Sequence, residues 1–206
     1  MHVQGDSKRG LFDQGTRLMH WLSAGLMMLV FVLAFSVDLA TSRAAHIAVL
    51  QFHRSMGLTV WLVTLFRLAW RQIAKYPEWP SDMSETMRVL ARTSEYGLYL
   101  LLLLQPILGV LQTNAHGDQV SFFSVGRLPA IIPKSRPLAE LLLITHRAVG
   151  FSLLGLIVLH ASAALYHHLV RRDDTLTAML PAAAAWRSSK PRATRLGAPR
   201  SIGEME

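Results

Sequence analysis

HRAVGFSLLGLIVLHASAALYHHLV, residues 146–170, decides the fold. Its 25 residues carry one formally charged side chain, Arg147. As an α-helix it would reach about 37 Å, enough to cross the ~30 Å hydrocarbon core of a bilayer. Within it stand His146 and His160, 14 residues apart. At 100° per residue that spacing is four turns less about 40°, so both point to one face, roughly 21 Å apart along the axis. A histidine at membrane depth is costly and faces the bundle interior with a partner. Two on one face, too far apart to share an ion, predict two separate sites.

Three other stretches are long and apolar enough to span: Leu18–Val37, Leu50–Trp70 and Tyr96–Gln112. With His146–Val170 they predict an all-α membrane protein, a four-helix transmembrane bundle running up-down-up-down. The composition agrees, with 51% apolar residues and a mean hydropathy of +0.31. The first span is too long for a signal peptide, and no small-x-small cleavage site follows it. Asp13 is placed to cap the first helix. The run KYPEWPSDMS, residues 75–84, breaks the second helix with two prolines. Residues 114–137, with Gly117, Gly126 and Pro129, read as an ordered loop with room for a short surface helix. The chain thus divides into a polar segment 1–12, a four-span domain 13–181 and a basic tail 182–206, expected to be disordered or bound to a redox protein partner.

The chain has no cysteine, which excludes disulfides, thioether-linked haem, thiolate iron–sulfur ligation and Cys-type zinc sites. A net charge of +8 raises nucleic acid as a partner, but its distribution argues against it. Of the 21 Lys and Arg, 15 fall on the side of the two termini. Six fall opposite: Arg43, Arg54, Arg127, Lys134, Arg136 and Arg147. By the positive-inside rule both termini are cytoplasmic, and the basic excess is topology.

Topology then pairs the histidines. His20 and His160 lie toward the cytoplasmic end, His53 and His146 toward the periplasmic end, giving two facing pairs at two depths. Paired imidazoles across a helical bundle suit the axial positions of haem. The surrounding motif occurs twice, as HRSMG (53–57) and HRAVG (146–150). Gly57 and Gly150 sit one turn after their histidines, where a missing side chain would let a porphyrin approach the backbone. Arg54 and Arg147 sit where a guanidinium could hold a haem propionate. Plainer readings stand beside these: interfacial histidines, helix-packing glycines and arginines on lipid head groups. Zinc is the rival metal, but histidine pairs without a nearby carboxylate make a poor tetrahedral site.

Over roughly residues 12–181 the chain resembles the bacterial cytochrome b561 family, the four-span diheme proteins of the inner membrane. The resemblance rests on His20–Trp21, on HRSMG followed by FRLAWR (66–71), and on KYPEWP (75–80). It continues through QPILG (105–109), the loop holding Gly126 and Pro129, and HRAVG. LHASAALYHHLVRRDDTLTAMLP (159–181) is its most specific string. The resemblance implies two non-covalent b-type haems, one on His20 with His160 and one on His53 with His146, and electron exchange with ubiquinone. For some relatives it implies superoxide oxidation, with electrons from periplasmic superoxide reaching quinone on the cytoplasmic side. Where many relatives have histidine at the start of the third span, this chain has Arg92 and Glu95.

His167, seven residues beyond His160 and near its face, is a candidate to hydrogen-bond a quinone carbonyl or pass its proton. Arg67, Arg71 and Lys75 are candidates for the inner haem propionates. The leading reading is therefore an oxidoreductase moving single electrons between a periplasmic donor, superoxide among them, and quinone. A haem-bearing anchor subunit of a dehydrogenase or hydrogenase is the alternative. A haem-free membrane scaffold is a third, which predicts that alanine at His53 or His146 leaves the spectrum unchanged.

Overall fold

A computed structural model describes residues 12–74, 77, 83–123 and 125–180. Four long helices dominate: α1 (Gln14–Val37), α2 (Arg43–Arg71), α3 (Glu85–His116) and α4 (Arg136–Tyr166). Lys75 and the tail after residue 180 lie outside the described residues.

Local chemistry sets the helix ends. The Asp13 carboxylate accepts from the Thr16 amide at 3.0 Å, capping α1 as the sequence predicts. Ser42 and Ser84 cap α2 and α3 through their hydroxyls, accepting from Ala45 and Met87. Gly117 closes α3 in the left-handed conformation, φ 95°, where a side chain would be strained. Pro137 opens α4, where its missing N–H costs nothing.

Long-range bonds fix the up-down-up-down order. The Trp70 indole at the end of α2 donates to Asp13 at the start of α1, 3.2 Å. Arg71 pairs with Glu95 of α3 through both terminal nitrogens. Gln105 of α3 donates to the His146 carbonyl of α4 at 2.9 Å. Beyond α4 a π-helical turn, His167–Arg171, ends at Arg172 in the left-handed region. The chain then folds back across the start of α1, where the Trp21 indole donates to the Met179 carbonyl at 2.9 Å.

α1, α3 and α4 with its continuation to Arg171 are long and apolar enough to cross a membrane. α2 is as long, at 29 residues, but His53, Arg54, Arg67 and Arg71 hold its hydropathy below theirs. It packs along both α1 and α3, with Ser55 and Thr64 buried, and exposes Phe52, Leu62 and Phe66 as its own part of the apolar exterior. That exterior is a belt of exposed Leu, Val, Met and Phe, including Met28, Val32, Leu100, Ile144 and Val158, as a lipid-facing surface requires.

The core is one apolar layer at mid-bundle, formed by Met27, Val60, Leu102 and Leu153, one residue from each helix. Leu153 is 1% exposed. The loop after α3 differs from the expectation of a surface helix. It forms a small antiparallel hairpin, β1 (Ser121–Phe122) on β2 (Gly126–Arg127). Ser55 of α2 clamps it, donating to the Ser121 carbonyl at 3.1 Å and accepting from the Phe123 amide at 2.9 Å.

Candidate functional site: two facing histidine pairs

The close helix contacts are α1 on α2, α2 on α3 and α3 on α4. α4 does not close onto α1 or α2 in the same way, and its histidines face both of them across that seam. His53 of α2 and His146 of α4 have ring centres 6.4 Å apart with planes at 81°. His20 of α1 and His160 of α4 have ring centres 6.4 Å apart with planes at 52°. The first pair lies toward the hairpin, the second toward the two chain ends. Leu153 stands midway, seven residues from His146 and seven from His160, so the apolar layer separates the pairs.

Three of the four rings are held from outside their pair. His53 Nδ1 donates to the Val30 carbonyl of α1 at 3.1 Å, which leaves Nε2 as the free lone pair. His146 packs on Gly109 of α3, where an added Cβ would lie 3.2 Å from the ring. His20 meets Trp21 edge-on at 5.5 Å. His160 is the most open of the four.

The donor set decides what such pairs suit. Among the described residues no three His, Cys, Asp or Glu side chains converge, so no closed tetrahedral metal site forms. Two imidazoles binding one ion from opposite sides, at a metal–nitrogen distance of about 2 Å, place their ring centres roughly 6 Å apart. The two pairs match that separation. A two-ligand site is complete only for a metal that brings its remaining ligands with it, as haem iron does. The residues present therefore fit haem.

The two glycines of the repeated motif differ. A Cβ at Gly57 would meet no atom within 4 Å. At Gly150 the Gln105 amide lies 2.9 Å from an added Cβ, so this glycine makes room for a side chain of α3. Arg54 is half-buried with Asp118 as the acidic group in Coulombic range. Arg147 is exposed, 3.9 Å from Asp38. At the opposite end Arg71 is committed to Glu95 and lies over the rings of Tyr96 and Tyr99, while Arg67 lies over Tyr99 at 5.6 Å.

His167 is partly buried, and its Nδ1 meets Asp173 Oδ2 at 2.5 Å. Burial pushes the Asp173 carboxyl up, but hydrogen bonds from His167 and Thr175 outweigh it and hold the group below the usual carboxylate range. His167 is not brought within contact of His160, one helix face and seven residues away.

Sequence reasoning missed Gln105, Gly109, Ser55 and Asp173. One signal was available for the first: a lone amide within LLLLLQPILGVL, residues 100–111, must find an acceptor inside the membrane.

A membrane bundle with paired, inward-facing histidines and no thiolate defines a class, the helical b-type cytochromes. The model of the prokaryotic cytochrome b561 family matches residues 11–182. Cytochrome b561 homolog 2 of Escherichia coli (strain K12) is 32% identical over 162 residues, 78% of this chain and 86% of that protein. Cytochrome b561 homolog 1 of the same organism is 24% identical over 82% of this chain and 97% of its own length. The probable superoxide oxidase CybB of Yersinia pestis is 27% identical over 79% and 91%. The chain belongs to the prokaryotic cytochrome b561 family, and is an integral membrane, haem b electron-transfer protein.

Proposed function

We propose that this chain is a two-haem cytochrome of the inner membrane, with both termini cytoplasmic, that passes single electrons from periplasmic superoxide to ubiquinone. The observation that carries the reading is the pair of matched 6.4 Å histidine spacings at opposite ends of α4. His53 with His146, and His20 with His160, would each hold one haem, whose iron supplies one-electron chemistry when bound. The name of the Yersinia relative supports superoxide as donor.

The chain's residues supply the rest. The Val30 carbonyl fixes the tautomer of His53, and Gly57 leaves an open face beside it. The Leu153 layer excludes water between the two sites. Arg43, Arg54, Arg127, Lys134, Arg136 and Arg147 lie on the hairpin side against Asp38, Asp118 and Glu140, and the net positive field would draw an anion. Two superoxide anions yield two molecules of oxygen and two electrons. With two protons from the cytoplasmic side, these reduce one quinone to quinol. His167, its Nδ1 committed to Asp173, would present its other nitrogen to the quinone and hand over a proton.

Haem per polypeptide tests the core of this reading, with two b haems expected. Alanine at any one of the four histidines should remove one haem and leave the other. Purified protein with a soluble quinone should consume superoxide above the spontaneous background, and the gain should shrink as salt rises. Equal rates with and without protein would sink the superoxide assignment.

A further inference from the structure

The cytoplasmic end of α1 holds a buried cation with no carboxylate partner among the described residues. Arg17 is 8% exposed. Among the described residues its side chain makes one hydrogen bond, from NH1 to the Leu180 carbonyl at 3.3 Å, and its buried Nε meets no acceptor. Among the described residues no carboxylate lies within ion-pair distance of it. Asp13, one turn earlier on the same helix, is engaged instead by Thr16 and the Trp70 indole. A buried guanidinium left this way is costly unless an anion completes it.

Its position says which anion. Arg17 is three residues before His20, one turn nearer the cytoplasm, and its NH1 reaches toward the segment that follows α4. His20 faces α4 as well. Arg17 therefore sits one turn before His20 on α1, covered by the segment that follows α4. Arg67 carries a second charge at this end, within Coulombic range of both His20 and His160. Arg71, the neighbouring candidate, is already neutralised by Glu95.

We infer that Arg17 is a binding residue for a haem carboxylate at the inner site, with Arg67 as its electrostatic companion and Arg71 excluded. The inference rests on the haem reading above. A guanidinium has the fork geometry that a propionate takes, and this one is already desolvated, so it loses little on binding. The charge also favours the reduced form of the group it contacts.

The test is a redox titration of detergent-purified full-length protein, after haem content has been measured. Arg17→Gln should lower one of two midpoint potentials by about tenfold in the reduction equilibrium, 59 mV for a one-electron couple. Arg17→Lys should keep most of the wild-type value. Reconstituting both proteins with haem dimethyl ester, which lacks the carboxylates, should abolish the difference between wild type and Arg17→Gln. If Arg17→Gln retains a single haem, uptake decides instead. Wild type should then hold the ester poorly at one site, whereas equal uptake of haem and ester at both sites overturns the proposal. With two haems bound, unchanged potentials in Arg17→Gln, or a shift that persists with the ester, overturns it and leaves the haem reading standing. Wild type without haem takes down both.

Discussion

The side-chain amide of Gln105 lies across Gly150 and donates to the carbonyl of His146. One α3 residue thereby fixes the backbone on which a candidate ligand is carried, and it does so through a glycine that motif reading would assign to a porphyrin.

The two motif glycines are therefore expected to respond differently. Gly57→Ala meets no protein atom, and should raise the stability of haem-free protein by up to about 1 kcal/mol through helix propensity. It should also weaken haem binding at the His53 pair. Gly150→Ala must displace the Gln105 amide and lose a hydrogen bond worth about 1 kcal/mol, nearly offset by the same propensity gain. Its effect should be a spectral shift at the His146 site with little change in stability. Thermal unfolding and haem content of both variants check this.

Leu153→Ala opens a cavity in the layer between the histidine pairs. The expected cost is about 2 kcal/mol, the low end for such truncations, because in lipid the loss comes from packing more than from water. On the two-haem reading proposed above, haem content should be unchanged, since neither histidine pair moves. Denaturant unfolding followed in parallel with the visible spectrum would show the two effects apart.

The fold-back after α4 is expected to be acid-labile. Asp173 has a depressed folded-state pKa, so its contribution is present above the unfolded value, about 3.9, and is lost as pH falls through the lower folded value. Protection of residues 173–180 in hydrogen exchange should hold at neutral pH and fall below about pH 4. Asp173→Asn should remove the pH dependence and leave the segment less protected throughout.

Ser55→Ala removes both bonds that clamp the hairpin to α2 and strands the Phe123 amide. A local loss of about 1–3 kcal/mol is expected. It should appear as faster exchange over residues 121–127, with α2 unaffected.

What could be read before the structure was whatever depends on helix geometry alone. Fourteen residues between His146 and His160 fix face and rise, and the alternating direction of successive helices fixes which histidine meets which. The extent of α3 was less visible. Its first ten residues, Glu85–Ser94, are polar enough to hide in a hydropathy scan, and the helix begins where Ser84 caps it. The hairpin was hidden for a different reason. Val120–Phe123 and Gly126–Leu128 are too short to show alternation, and their register comes from Ser55, 66 residues away. Gln105 over Gly150 is likewise a tertiary fact, since neither residue carries a sign of the other in its own neighbourhood.

Because His146 and His160 are carried by one unbroken helix, the distance between the two sites is set by a count of residues. Loops may lengthen or shorten without altering it. A single insertion between residues 146 and 160 would instead turn one imidazole by about 100° and move it 1.5 Å, out of line with its partner on α1 or α2. Within this family the interval should therefore tolerate many substitutions and no change in length, which makes α4 a ruler as much as a scaffold.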